Sequence, residues 1–504
     1  MTGMNRNNRI SGNASVSSRS SGAMYGLSSP MSRSVFVKTM GVGMAGLAGM
    51  ATAKGRVVSA TGSVFVVSPS GGDDTANIQS AFNSAVVAGP GSTVQFTAGH
   101  FYTSGEIYTE GFDGSVVGAG IGNTIVEAVG EPRTSMFMFI RSDNTNLTVR
   151  GMSLDCNVNT TLGYFICDLY GNNRGTVIER VNLEGKITGS SNYFGVDSPT
   201  YNTAFGIISE TSKALDNSQP GEGVLKIKDC TVKWVDNIMH AECYGTQGLA
   251  TSGSVTIDGL NAMDVGAFDS WSGGISSGNI YVPMTIMNCN ITRAAGLFAI
   301  WLSSSENVVI TNCTLTDCTV WLGLGANGFS KNISIENNII ERFNAPDIWG
   351  IGFGAPLLIE ASQECEVTRN TLIDIGNCMA GVRVNGSSGN FVHGNNFARS
   401  NLPGFTFDEY GNILTPGCVS LIESSTDNQI VERNFPAGTN MCSQILDAPD
   451  LNNEVPGWRG FCVGPSAEVH ARIAQKMAEH AQKMQQLGNK LYDKLSKLPG
   501  QFGR

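Results

Sequence analysis

Short apolar segments recur along the chain. Each opens on a β-branched residue, continues through polar or small positions, and ends on Cys, Asn or an apolar residue. Ile227-Lys228-Asp229-Cys230, Ile286-Met287-Asn288-Cys289, Ile310-Thr311-Asn312-Cys313 and Ile335-Glu336-Asn337-Asn338 show the pattern. Ten anchors align: Val149, Ile178, Ile227, Ile257, Ile286, Ile310, Ile335, Val367, Val392 and Ile430. Their spacings are 29, 49, 30, 29, 24, 25, 32, 25 and 38 residues. A period of this size is that of a solenoid, in which each repeat buries its apolar face only against its neighbours. The interval of 49 is either two turns of the solenoid or one turn carrying a long loop. Alternate positions of each short strand must point inward, which leaves the outward positions and the turns for function. Insertions between anchors, notably 184–224 and 401–427, should form loops leaving the shaft.

Before the first anchor the periodicity changes. Asp73-Asp74-Thr75-Ala76-Asn77-Ile78-Gln79-Ser80-Ala81-Phe82 reads as a capped amphipathic helix, with Ile78, Ala81, Phe82 and Ala85 on one face. Gly89-Pro90-Gly91, the strand Thr93-Val94-Gln95-Phe96, a turn at Gly99 and Ser115-Val116-Val117-Gly118-Ala119-Gly120 follow. This order resembles the opening of pectate lyase-like right-handed parallel β-helix proteins, where a short helix plugs the first coil. With the repeat, the resemblance covers residues 64–440. It implies an all-β fold, a right-handed parallel β-helix (a single-stranded solenoid) of roughly eleven to thirteen coils by its period. Polysaccharide lyases on this fold use Arg or Lys as a base beside a uronate carboxyl, often with Ca²⁺ held by clustered carboxylates. Calcium is therefore a cofactor implied by the resemblance alone.

Two flanking segments break the pattern. Residues 1–54 carry Arg6, Arg9, Arg19, Arg33 and Lys38 with no acidic residue, then a weakly apolar stretch ending in Ala51-Thr52-Ala53. This reads as an export leader with a small-x-small cleavage site, which implies a secreted or cell-surface protein; the alternative is a disordered tail before a cytosolic domain. Ser32-Arg33-Ser34-Val35-Phe36-Val37-Lys38 resembles a twin-arginine motif, but Ser34 stands in place of the second Arg. At the other end, residues 441–465 read as an irregular connector. Residues 466–498 read as an amphipathic helix, with Met477, Met484, Leu491 and Leu498 every seven residues. Such a helix either caps the last coil or mediates self-association.

Composition adds little beyond exclusion. The net charge is −10 over 504 residues, with 15% charged residues. No basic stripe is available to neutralise phosphates, so nucleic acid is not an expected partner.

The register assigns several tempting residues to architecture. Cys230, Cys289 and Cys313 share one phase with Asn338, Asn370 and Asn395. They are expected to stack inside the coil, the Cys as small hydrophobes and the Asn as an amide ladder. Disulfides are more plausible among Cys418, Cys442 and Cys462. Seven residues after successive anchors stand Asp264, Arg293, Asp317, Arg342, Asp374 and Arg399, alternating in sign. Stacked about 4.8 Å apart, these predict a ladder of ion pairs.

What remains is a short set of candidates for chemistry. Asp236, His240 and Glu242 are close in sequence, and Asp269 and Trp271 follow one coil later. A titratable His, carboxylates and an aromatic platform on one face suit acid–base work on a sugar. His240, Glu242, Asp269 and Arg293 are the candidate catalytic residues, although carboxylates flanking Arg293 would make it a poor base. Trp271, Trp301, Trp321 and Trp349 fall 14, 15, 11 and 14 residues after their anchors and form a candidate strip for stacking sugar rings. The Asp-Asp, Gly-His-Gly and Arg-x-Lys set of polygalacturonase-type hydrolases is missing, as is the Trp-Ile-Asp-His signature of classical pectate lyases. The expectation is an exported or cell-surface protein that binds a polysaccharide or cell-surface glycan; whether it also cleaves it, as a polysaccharide lyase or glycoside hydrolase, the sequence leaves open. The alternative is a non-catalytic structural or adhesive shaft assembling through its C-terminal helix.

Overall fold

In a computed structural model, residues 62–398 are described apart from 194–195, 212–220, 249–251, 268–272, 346–353, 376–377 and 379. Beyond them five strand segments are described: Thr406–Phe407, Ile413–Leu414, Gly417–Ile422, Gln429–Val431 and Ile445–Leu446. The leader, the helix expected over 466–498 and the side chains of Cys418, Cys442 and Cys462 lie outside the described residues.

Thirty-three strands join in one hydrogen-bonded network. Its pairings are parallel, and each coil contributes one strand to each of three walls. On the first wall the ten anchors form a single ladder, each directly beside the next from Val149 to Ile430. The ladder also runs backwards through Val116 and Val94 to Phe65. Ile178 pairs directly with Ile227, so the 49-residue interval is one coil with a long excursion. Part of that excursion is an antiparallel hairpin, Ile187–Tyr193 with Val196–Tyr201, standing outside the main sheet. A second small hairpin, Thr406–Phe407 with Ile413–Leu414, leaves the shaft in the other expected insertion. Eleven coils from Ser92 to Ile422 complete all three walls, and parallel pairing continues to Ile445–Leu446.

The core is the inside of the coil. Anchor side chains from Val149 to Val392 are buried there together with Leu154, Leu183, Val232, Ile291, Leu315, Ile340 and Leu372 of the second wall. Each such Leu, Ile or Val contributes roughly 1.5–3 kcal/mol by leaving water. The helix Thr75–Ala88 closes the first coils, with Ile78, Phe82 and Ala85 buried. The Phe82 ring meets Phe112 at 5.3 Å and Phe139 at 6.0 Å. The helix start is tied differently from a simple cap. The Asp74 carboxylate accepts from the Ser70 and Tyr102 amides at 2.7 and 3.2 Å, fastening the helix to the shaft. Asp73 instead accepts from the Thr75 amide at 3.0 Å.

The internal polar stack forms. The Asn338 amide donates to Asn370 Oδ1 at 2.9 Å, and the Asn370 amide donates to Asn395 Oδ1 at 2.9 Å. Cys230, Cys289 and Cys313 are buried on the same row, as free thiols. Every buried amide on this row is satisfied, which is what makes polar groups tolerable inside the coil.

The alternating charges mark one corner of the coil. Trp234, Asp264, Arg293, Asp317, Arg342 and Asp374 have φ between 51° and 56°, the left-handed turn that carries each strand from the second wall to the third. Arg293 grips Asp264 with two hydrogen bonds of 2.6 and 2.8 Å. Arg342 does the same to Asp317, its Nη2 bond being 3.0 Å. The column is thus a set of discrete pairs, each joining two neighbouring coils.

Candidate functional site

The third wall carries His240 and Glu242 on the strand Asn237–Glu242. Ile238 and Met239 both face inward, so His240 and Glu242 point out with Ala241 between them facing the core. His240 Nε2 lies 3.3 Å from Glu242 Oε2, and its Nδ1 lies 2.8 Å from Ser276 Oγ. Asn279 donates to Glu242 Oε1 at 3.1 Å. The residues beside His240 and Glu242 in the next coil are therefore Ser276 and Gly278. Asp269 and Trp271 were expected to fill those places, and both lie outside the described residues.

The other candidates separate. Arg293 sits at the corner in its doubly bonded pair with Asp264. That pairing, foremost its hydrogen bonds, raises the guanidinium above its ordinary range. A group held protonated in this way is a poor proton acceptor. Trp301 follows Ser276 in the same outward row of the third wall, between inward Ile300 and Leu302. The register sets Gly325, not Trp321, beside Trp301. Trp301 and Trp321 instead border an outer apolar patch of Leu297, Phe298, Leu322 and Leu358. Phe298 meets the Trp301 ring edge-on at 4.8 Å. These two rings do not stack as a strip, and Trp349 lies outside the described residues.

A further group stands on the second wall, where no candidate was expected. One outward row runs Tyr102, Glu127, Asp155, Glu184, Lys233, each residue directly beside the next. Three carboxylates thus occupy consecutive coils at strand spacing, about 4.8 Å. Like charges placed directly opposite one another destabilise a sheet. The two outer members are held by partners. Glu127 accepts from Asn157 Nδ2 at 2.8 Å and lies 2.8 Å from His100 Nε2, whose ring stacks on Tyr102 at 4.5 Å. Glu184 takes the Lys186 ammonium at 2.7 Å. Asp155 between them is half-buried, and its Oδ1 is shielded from water without a hydrogen bond. Burial first, then the Glu184 and Glu127 charges, push its carboxyl up to about 6.

Local sequence explains how this row is framed. Gly185 follows Glu184 at a corner where a Cβ would lie 2.1 Å from the Trp234 carbonyl oxygen, so only glycine fits. The chain then passes through Lys186 into the hairpin, whose base is pinned by Asn202 donating to the Asn157 carbonyl at 2.7 Å. Lys233 and Lys186 both lie over the Trp234 indole, at 3.5 and 5.4 Å from the ring centre. Acid, base and aromatic surface therefore meet at one edge of the hairpin. Among the described residues, the calcium implied by the resemblance finds no fitting ligand set. Among the described residues, no group of three or more His, Cys, Asp or Glu is placed to hold a metal ion. The carboxylates are strung along a row and do not converge.

Residues 217–435 match a family model described as a right-handed β-helix region. No curated protein matches the chain. Among solved structures, it is similar to the DFA-IIIase of Arthrobacter chlorophenolicus A6, at 11% identity and a TM-score of 0.48 over 76% of this chain and 95% of that one. The Dettilon tailspike protein gives 13% and 0.46 over 73% and 68%. The A-module of the Azotobacter vinelandii mannuronan C-5 epimerase AlgE4 gives 15% and 0.39 over 67% and 95%. The parallel three-walled coil and the family match lead to one identification: the chain is a right-handed parallel β-helix protein.

Proposed function

We propose that this protein binds a polysaccharide along its second wall and hydrolyses glycosidic bonds there, with Asp155 as proton donor. One observation carries the reading. The fold alternates acid and base where it builds corner pairs, yet it sets Glu127, Asp155 and Glu184 side by side. That arrangement is costly for stability and useful for catalysis, because burial and the neighbouring carboxylates raise the proton affinity of the middle carboxyl to about 6.

The chemistry follows from the neighbours. Neutral Asp155 gives its proton to the glycosidic oxygen as the leaving group departs. Glu184, paired with the Lys186 ammonium at 2.7 Å, faces the same bond from the next strand. A strand spacing of about 4.8 Å is near the 5–5.5 Å separation of acid and nucleophile in retaining glycosidases. Attack by Glu184 gives a glycosyl ester, and Asp155, now ionised, activates the water that releases the sugar. Hydrolysis is favoured over lyase chemistry because Arg293, the arginine weighed as a lyase base, is engaged by Asp264.

The test is a screen of uronate-containing and neutral glycans, read by reducing ends and by absorbance of unsaturated products. New reducing ends without unsaturated product support the reading; unsaturated product would make the protein a lyase. The leader over 1–54 supports export, which N-terminal sequencing of the mature protein would test. The rival reading, a non-catalytic shaft assembling through 466–498, rests on residues outside those described.

A further inference from the structure

The hydrogen bonds of the third wall describe a second reactive arrangement, on a different wall from Asp155. His240 faces the Glu242 carboxylate through Nε2 and the Ser276 hydroxyl through Nδ1, at 3.3 and 2.8 Å. A carboxylate only accepts, so in the neutral tautomer that bonds to Glu242 the ring proton sits on Nε2. Nδ1 is then a lone pair facing Ser276 Oγ, and the hydroxyl, which also lies 3.3 Å from the Met239 carbonyl oxygen, can turn its proton to the ring. Asn279, on the other oxygen of Glu242, fixes the carboxylate that fixes the tautomer. Gly278 stands directly across from Glu242 and keeps that side of the strand open. Ser276, His240 and Glu242 are all partly exposed on the outer face, and Trp301 follows Ser276 in the row.

We propose that Ser276, His240 and Glu242 form a nucleophile, base and orienting acid that cleave carboxylic esters. A hydroxyl hydrogen-bonded to an imidazole whose other nitrogen is held by a carboxylate is the logic of an activated serine, here with the two ring nitrogens exchanged relative to the serine-to-Nε2, carboxylate-to-Nδ1 order. Ser276 Oγ attacks the ester carbonyl carbon while His240 Nδ1 takes its proton. The bond from the acyl carbon to the alcohol oxygen breaks, and the proton passes from His240 to that oxygen. Water, deprotonated by His240, then attacks the acyl-serine, frees the carboxylic acid and restores the hydroxyl. No oxidant or metal is required.

The test uses the full chain with a fluorophosphonate probe and with p-nitrophenyl acetate. Mass mapping should place the phosphonyl adduct on Ser276, and Ser276→Ala should lose at least about 10²-fold of the acetate hydrolysis. Ser303→Ala, at a serine on the same outer wall one coil on, serves as the control and should keep both. An adduct elsewhere or none on the wild-type protein overturns the proposal without any variant. So does hydrolysis unchanged in a folded Ser276→Ala protein. His240→Gln should abolish labelling; persistent labelling would mean that the serine is not activated by the imidazole.

Discussion

Asp155 lies directly beside Glu184 on adjacent parallel strands, carboxylate next to carboxylate, and burial together with that charge raises Asp155 to about 6. A pair of this kind opposes folding at neutral pH. Its persistence in a chain that elsewhere pairs Asp264 with Arg293 and Asp317 with Arg342 is the physical reason to read it as a site.

Replacing Asp155 by Asn should stabilise the protein at neutral pH while removing its proposed catalysis. The folded carboxyl is raised relative to an ordinary one, so its contribution is fully present in acid and is lost as pH rises to about 6. Asn cannot ionise and escapes that loss. Because Asp155 is partly exposed, the gain above pH 7 should be on the order of 1 kcal/mol, vanishing below pH 4. Thermal or denaturant unfolding at both pH values measures it. A uniform loss of stability would show that Asp155 is structural.

Glu184→Gln should lower the Asp155 titration midpoint below about 6, since Glu184 is the largest charge acting on it. Burial is untouched, so the midpoint should remain above that of an ordinary carboxyl. Carboxyl NMR of the variant follows this directly. An unmoved midpoint would mean that the two groups are not electrostatically coupled.

Arg293→Ala should leave glycan cleavage unchanged. Its guanidinium is committed to Asp264 at an exposed corner, where such a pair contributes about 0–1 kcal/mol. Initial rates and a melting curve of the same preparation test both statements. A large loss of activity with intact folding would return Arg293 to the catalytic set.

Asn370→Ala should destabilise the shaft by about 2–4 kcal/mol. Asn370 Oδ1 accepts from both the amide nitrogen and the side chain of Asn338, at 3.1 and 2.9 Å inside the coil. Truncation would strand those donors away from water. Equilibrium unfolding measures the cost, and a change below 0.5 kcal/mol would mean that water replaces the amide.

The fold was largely legible because inward positions repeat. All ten anchors fall in one ladder, since a slip by one residue would turn every anchor to solvent. The charged corner was legible too, but as discrete pairs. The second-wall row was missed although Asp155 and Glu184 stand six residues after Val149 and Ile178. The charged column noticed at offset seven starts only at Asp264, whereas the acids occupy earlier coils at offset six. Glu127 lies eleven residues after Val116, because a loop at Gly118–Asn123 lengthens its coil. Ser276 carried no signal by itself; only the register sets it beside His240. Outward partners depend on loop lengths between strands, which the apolar period does not encode.

The central claim is tested most directly by comparing wild-type and Asp155→Asn protein on whichever glycan the screen identifies, with cleavage and binding measured separately. The account predicts that reducing-end release falls about 10²–10⁴-fold while glycan binding and folding are kept. Cleavage by the variant within a factor of two of wild type would contradict it.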